Sequence, residues 1–115
     1  MQKVDFYVPL EKNALVAQMV ARYGEFLEDM PIEARLTFRA ALATFQIQEY
    51  QWANSPHRPT PKRMIEDAIE SVNSEAWQSE QLTSWIIGFC NDTQDNWLIE
   101  PMIRALSDSI SQDIG

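Results

Sequence analysis

Two stripes of apolar side chains at helical spacing run through residues 31–52, PIEARLTFRAALATFQIQEYQW. The first stripe consists of Ile32, Leu36, Ala40, Ala43, Ile47 and Tyr50, and the second, on roughly the opposite side, of Phe38, Ala41, Leu42, Phe45 and Trp52. A helix that is apolar on two faces needs neighbours on both. We therefore predict that this segment is the central helix of the domain. The alternative is that the second stripe is an interface for a partner.

The rest of the chain also follows helical periodicity. Further amphipathic helices are predicted for residues 10–29, 61–72, 80–90 and 97–110. We expect Gly24 to weaken the first of these helices only slightly, because one glycine inside a helix costs about 1 kcal/mol relative to alanine.

Several residues at the predicted helix ends have recognisable roles. Thr60 and Pro61 together form a helix-start signature, in which Thr60 is the cap and Pro61 the first helical residue. Ser79 is a candidate cap for the helix that follows it. Pro101 either lies in the first turn of the last helix or marks its start. The polar tail beyond Ile110 is expected to fray.

These observations predict an all-α fold, a single compact antiparallel bundle of about five helices. Glycine occurs at only three of the 115 positions, and tight β-hairpins depend on residues that tolerate positive φ. A chain of this length fits one domain, so we assign residues 1–115 to a single helical domain. Its one interruption is the proline-rich segment 53–61, named here the basic hinge.

Charge is divided unevenly along the chain. Residues 1–53 carry seven acidic and five basic side chains, residues 54–63 three basic ones, and residues 64–115 ten acidic ones and one basic one. The corresponding charges of −2, +3 and −9 sum to the formal net charge of −8. This balance disfavours non-specific attraction to nucleic acid or to anionic membranes and favours basic partners.

The expected compartment is the cytoplasm. Cys90 is the single cysteine, so it has no partner for an internal disulfide, as is usual in a reducing compartment. The first residues contain no apolar run long enough for a signal peptide. No stretch approaches the ~18 consecutive apolar residues of a membrane span.

The chain offers few groups for catalysis, and we predict that it is not an enzyme. His57, the only histidine, lies in the basic hinge, whereas Cys90 lies on an apolar helix face. A Cys–His nucleophilic pair needs both groups within hydrogen-bond reach. Glu66 and Glu70 are one turn apart, and such pairs are ordinarily a solvated face. No metal and no cofactor is therefore expected.

The candidate partner-binding residues lie in the second stripe and around the basic hinge: Phe38, Phe45, Trp52, His57, Arg58, Lys62 and Arg63. Lys62 and Arg63 occupy the first turn of a helix, where the macrodipole disfavours positive charge. An anionic partner would offset that cost. The alternative is a set of local ion pairs, from Lys62 to Glu66 and from Arg63 to Asp67.

The sequence favours a non-catalytic interaction protein, either an adaptor or a small subunit of a larger assembly, that binds a protein partner or a second copy of itself. One alternative is a helical subunit that contacts nucleic-acid backbone in a ribonucleoprotein. It requires a set of basic side chains to converge on one surface: Arg22, Arg35, Arg39, Arg58, Lys62 and Arg63. Another alternative is an apolar-ligand-binding helical protein.

Overall fold

The computed structural model describes residues 2–72, 80–92 and 98–114. Within these ranges the chain forms six α-helices and one short 3-10 helix, and no strand. They are α1 (Val4–Tyr7), the 3-10 helix (Leu10–Lys12), α2 (Ala14–Tyr23), α3 (Ile32–Trp52), α4 (Pro61–Val72), α5 (Glu80–Asp92) and α6 (Ile99–Ile114). The prediction of an all-α bundle is confirmed, with six α-helices where about five were expected.

The long helix α3 organises the fold and packs against α4, α5 and α6. Near the start of α3, Arg35 Nη1 donates to the Ser109 carbonyl oxygen at 3.1 Å. Towards its end, Gln46 Nε2 donates to Glu100 Oε2, also at 3.1 Å. The beginning of α3 lies beside the end of α6, and the end of α3 lies beside the beginning of α6. The two helices are therefore antiparallel.

The second stripe of α3 lies in the core except for its last residue, Trp52. Phe38, Ala41, Leu42 and Phe45 have no exposed surface, and they belong to one cluster of buried residues to which α2, α4, α5 and α6 also contribute. The Phe38 ring meets the ring of Phe89 edge to face, with centroids 6.1 Å apart and planes at 70°. This is a favoured geometry for buried aromatic pairs. The packing of the bundle thus depends on this side of α3.

The predicted helix over residues 10–29 is wrong at both ends. Its first residues form the 3-10 helix, and α2 begins at Ala14, where Asn13 Oδ1 accepts a hydrogen bond from Val16 N at 3.0 Å. The helix ends at Gly24, whose φ of 101° and ψ of 161° lie in a region that only glycine adopts readily. Gly24 terminates the helix rather than weakening it slightly.

Helix α4 has the bounds expected from its start signature. Arg63 N donates to Thr60 Oγ1 at 3.2 Å, which confirms Thr60 as the cap of a helix that opens with Pro61. The candidate cap Ser79 lies outside the described residues. Helix α5 extends to Asp92, two residues beyond the predicted end.

The C-terminal segment differs from the expectation that it frays. Helix α6 begins at Ile99, so that Pro101 lies in its first turn, and it continues to Ile114. An ion pair between the buried Arg35 and Asp113 fastens its last turn to α3. The expected start of this helix, at Trp97, lies outside the described residues. The ion pair between Arg35 and Asp113 therefore orders the last turn of α6, which its polar composition alone predicted to fray.

Candidate interaction surface

The first stripe of α3 forms an apolar strip on the outside of the bundle, called here the outer strip. It consists of Ile32, Leu36, Ala40, Ala43, Ile47 and Tyr50. Its first three residues are half-buried and the last three are exposed. Ile47 is 57% exposed and Tyr50 86% exposed. At 1.5 Å per residue the outer strip is about 27 Å long.

This arrangement corrects the prediction that neighbours cover both stripes of α3. Helices α4, α5 and α6 cover the side that carries Phe38 and Phe45, and they leave the outer strip open from Ala43 to Tyr50. The size of the side chains in the sequence could have indicated which of the two stripes is buried. Phenylalanines bury more apolar area than alanines, so the stripe that holds them gains more from a place in the core.

The proposed partner-binding residues of α3 consequently take different positions. Phe38 and Phe45 are fully buried within this chain, which corrects their expected place on an interface. Trp52 is the last residue of α3 and is 37% exposed. It lies two residues beyond Tyr50 and on the other side of the helix, so the two exposed aromatic side chains do not share a face.

A shallow groove flanks the first half of the outer strip. It lies where the end of α4 meets α3, and its lining is formed by Glu33, Leu36, Thr37, Arg39, Ala40 and Val72. Arg39 Nη1 also lies 3.4 Å from Ser107 Oγ of α6, which holds the guanidinium to the side of the strip. The apolar surface therefore broadens towards α4 at this end.

The basic hinge is an ordered turn. Ser55 N donates to the Trp52 carbonyl at 3.1 Å, and Arg58 N donates to the Ser55 carbonyl at 3.3 Å. His57 N donates to Ser55 Oγ at 3.1 Å, and the His57 side chain is exposed. These bonds fix the path of the chain between α3 and α4. The segment is a connection of defined geometry.

Neighbouring carboxylates partly neutralise the basic side chains around the hinge. Arg58 forms an ion pair with Glu49 of α3. Arg63 Nε lies 3.5 Å from Asp67 Oδ1, one helical turn away, as the local alternative predicted. Lys62 is exposed. An exposed ion pair such as that of Arg63 and Asp67 contributes little to stability, typically about 0–1 kcal/mol. The positive patch available to a partner is smaller than the sequence implied.

The six basic residues required for a nucleic-acid surface do not all lie on the surface. Arg35 is 1% exposed, and its guanidinium binds Ser109 and Asp113. Arg22 is exposed and lies over the Tyr23 ring, 5.4 Å from the ring centroid. The condition that all six converge on one face is therefore not met.

Cys90 lies in a setting that suppresses thiol chemistry. It is 3% exposed within α5, whereas His57 is exposed in the hinge. Burial raises the pKa of the Cys90 thiol to about 12, and the negative charge of Glu49 adds to that effect. The thiolate is the nucleophilic form of cysteine. At neutral pH the Cys90 side chain is therefore a protonated thiol and a poor nucleophile.

Two further findings concern the described part of the chain. Among those residues, no group of three or more histidine, cysteine, aspartate or glutamate side chains is placed to hold a metal ion. Nor does any helix there combine the length and the apolar character needed to cross a bilayer.

Comparison with known proteins gives no relationship on which to build. The chain matches no protein-family model, and searches of curated proteins and of solved structures found no match either. The candidate site accordingly rests on the exposed apolar strip of α3 and on the ordered turn that follows it.

Proposed function

We propose that this chain is a non-catalytic interaction protein, an adaptor or a small helical subunit, which presents the outer strip of α3 to a protein partner. The observation that carries the proposal is the exposure of Ile47 and Tyr50 on a continuous apolar face. Contiguous exposed apolar surface on a soluble protein commonly marks a site of association. Tyrosine and tryptophan are enriched among residues that dominate binding energy.

The position of the strip on a long helix favours binding of another helix. An apolar face with residues spaced by three and four positions fits the groove or ridge of a partner helix. The opposite side of α3 packs against α4, α5 and α6. A rigid face loses little conformational freedom on binding, which favours affinity.

The charge of the chain supports a role in steering association. The net charge of −8 arises mainly from residues 64–115, outside α3. Acidic side chains outside the outer strip accelerate encounter with a partner whose surface carries basic groups. The buried, protonated Cys90 is compatible with the reducing cytoplasm, where we expect the chain to act.

Recovery of the native assembly tests this proposal. The tagged chain is isolated from cells under native conditions, and its companions are identified by mass spectrometry. Ile47→Glu places a charge on the exposed face of α3 and should weaken capture of a true partner by roughly 30-fold, the equivalent of ~2 kcal/mol for an anchor residue. The matched control is Ala14→Glu, an exposed site in the first turn of α2, where an acid is well tolerated.

The folded state of both variants is checked by circular dichroism and thermal unfolding. Loss of the companions from Ile47→Glu but not from Ala14→Glu is the expected outcome. Equal recovery of every companion by both variants would show that the outer strip is not a binding surface, and the proposal would fail.

A further inference from the structure

We propose that the occupant of the outer strip is the same strip of a second copy of this chain, packed antiparallel across a two-fold axis. This inference rests on the proposed function, because it names the partner of that same surface. It is carried by the order of large and small residues along the strip.

The central part of the outer strip has the same pattern of side-chain size in both directions. Leu36, Ala40, Ala43 and Ile47 follow one another at spacings of four, three and four residues. In an antiparallel pair centred between residues 41 and 42, Leu36 lies opposite Ile47 of the second copy, and Ala40 lies opposite its Ala43. Large residues then meet at the two ends and alanines at the centre.

This symmetry suits a two-fold contact. An isologous interface requires one patch to be complementary to itself, so each contact occurs twice. Alanines at the crossing point allow two helices to approach at the short end of the usual interaxial range of 8–10 Å. Leu36 and Ile47 then lie at either side of that point, where the helices diverge and larger side chains fill the space.

The charged side chains beside the outer strip are compatible with a second copy. Two of the four charged residues of α3 are paired within the chain: Arg35 is buried against Asp113, and Glu49 binds Arg58. The other two, Glu33 and Arg39, have opposite charges and line the groove beside the outer strip. In the proposed register, Glu33 lies opposite Tyr50 of the second copy and Arg39 opposite its Thr44. No like charges from the two α3 helices meet at these positions. Glu33 and Arg39 together carry no net charge, so the α3 side chains beside the outer strip add no repulsion between the two copies.

Salt dependence distinguishes a homodimer from binding to a basic partner. Repulsion between two copies of charge −8 opposes dimerisation, and added salt screens it. Dimerisation should therefore strengthen with salt, whereas docking onto a basic protein should weaken. A pair of single helices also buries less than the ~800 Å² per partner of a standard interface, so we expect a dissociation constant in roughly the micromolar range.

Sedimentation of the purified full chain tests the proposal. Concentrations from about 1 μM to about 500 μM bracket a micromolar constant. The wild type should shift from monomer to dimer over this range, and the dimer fraction should rise with salt. Ala43→Glu places two charges at the centre of the interface and should weaken dimerisation by roughly 30-fold or more. Ala14→Glu is the control and should sediment as the wild type does.

Spin labels at position 53 test the antiparallel arrangement. Ala53→Cys is exposed just beyond the end of α3, whereas the buried Cys90 should not label. In the proposed register the two labelled positions are 23 residues apart along the helix axis, or roughly 35 Å. A parallel pair would place them about 10 Å apart. The dipolar distance should show the long separation, and the short one would overturn the register.

The remaining outcomes are distinct. A wild type that stays monomeric throughout the concentration range overturns the inference, and so does a dimer that Ala43→Glu leaves unchanged. A monomeric wild type whose companions are lost on Ile47→Glu would leave the proposed function standing while the second copy is rejected. If neither a second copy nor any companion depends on Ile47, both fail.

Discussion

Replacing two residues of α3, two positions apart, tests which side of the helix faces the core. Phe45 is fully buried, whereas Ile47 is 57% exposed. Phe45→Ala and Ile47→Ala each remove apolar atoms and leave the same small side chain in the same helix. Their effects on stability should differ mainly because Phe45 is buried and Ile47 is largely in water. The comparison takes one residue from each of the two apolar stripes of α3.

Phe45→Ala should lower the free energy of unfolding by about 3–5 kcal/mol, the range for replacing a buried phenylalanine and leaving a cavity. A chain of 115 residues has a total stability of about 6–17 kcal/mol at 0.05–0.15 kcal/mol per residue. The variant should remain folded with a much reduced margin. Its unfolding entropy of roughly 0.24 kcal/mol per kelvin converts the loss into a fall in Tm of about 12–20 °C.

Ile47→Ala should cost at most about 1 kcal/mol, because more than half of the side chain is already in water and alanine is the better helix former. The corresponding fall in Tm is no more than about 4 °C. Both variants are measured by thermal and urea unfolding at low concentration, where the chain is monomeric. If the two falls in Tm were equal, or the order were reversed, the assignment of the inner and outer faces of α3 would be wrong.

Three further predictions concern single sites. Gly24→Ala should destabilise the chain by about 1–3 kcal/mol in urea unfolding, because the backbone conformation at this position, with a φ of 101°, is costly for other residues; wild-type stability would refute this. Thr60→Ala should cost about 1 kcal/mol by removing the cap that accepts from Arg63 N, and Thr60→Ser should restore most of it; equal losses in both variants would exclude the capping role. Cys90 should resist a thiol reagent at pH 8 until urea unfolds the chain, and rapid modification of the native protein would contradict its burial. Because the pKa of Cys90 rises from an ordinary value of 9.0 to about 12 in the folded state, the unfolded state loses its proton first, and the contribution of this thiol to stability should fall as pH rises from 9 towards 12.

The parts of the fold that the sequence predicts well depend on local signals. Helix α4 begins where Thr60 and Pro61 place it, because a capping side chain and a proline at the first helical position act within one turn. The length of α3 follows from sustained periodicity without a glycine or an internal proline. In both cases the controlling interactions lie within a few residues of each other.

The missed features depend on tertiary contacts or on a single backbone conformation. The sequence shows two apolar stripes on α3, but which stripe is covered depends on where α4, α5 and α6 pack. The order of the C-terminal turn depends on Arg35 and Asp113, which are 78 residues apart in sequence. The end of α2 depends on the positive φ of Gly24, which the sequence permits but does not require.

Hydroxyl-radical footprinting of Tyr50 reports directly whether a protein covers the outer strip in the assembly that the chain forms in cells. The assembly recovered from cells is compared with the purified chain at high dilution, and Phe6, which is 66% exposed outside α3, serves as the internal reference. We predict that modification of Tyr50 falls several-fold relative to Phe6 in the assembly. Equal modification of Tyr50 in the two samples would contradict the assignment of this surface.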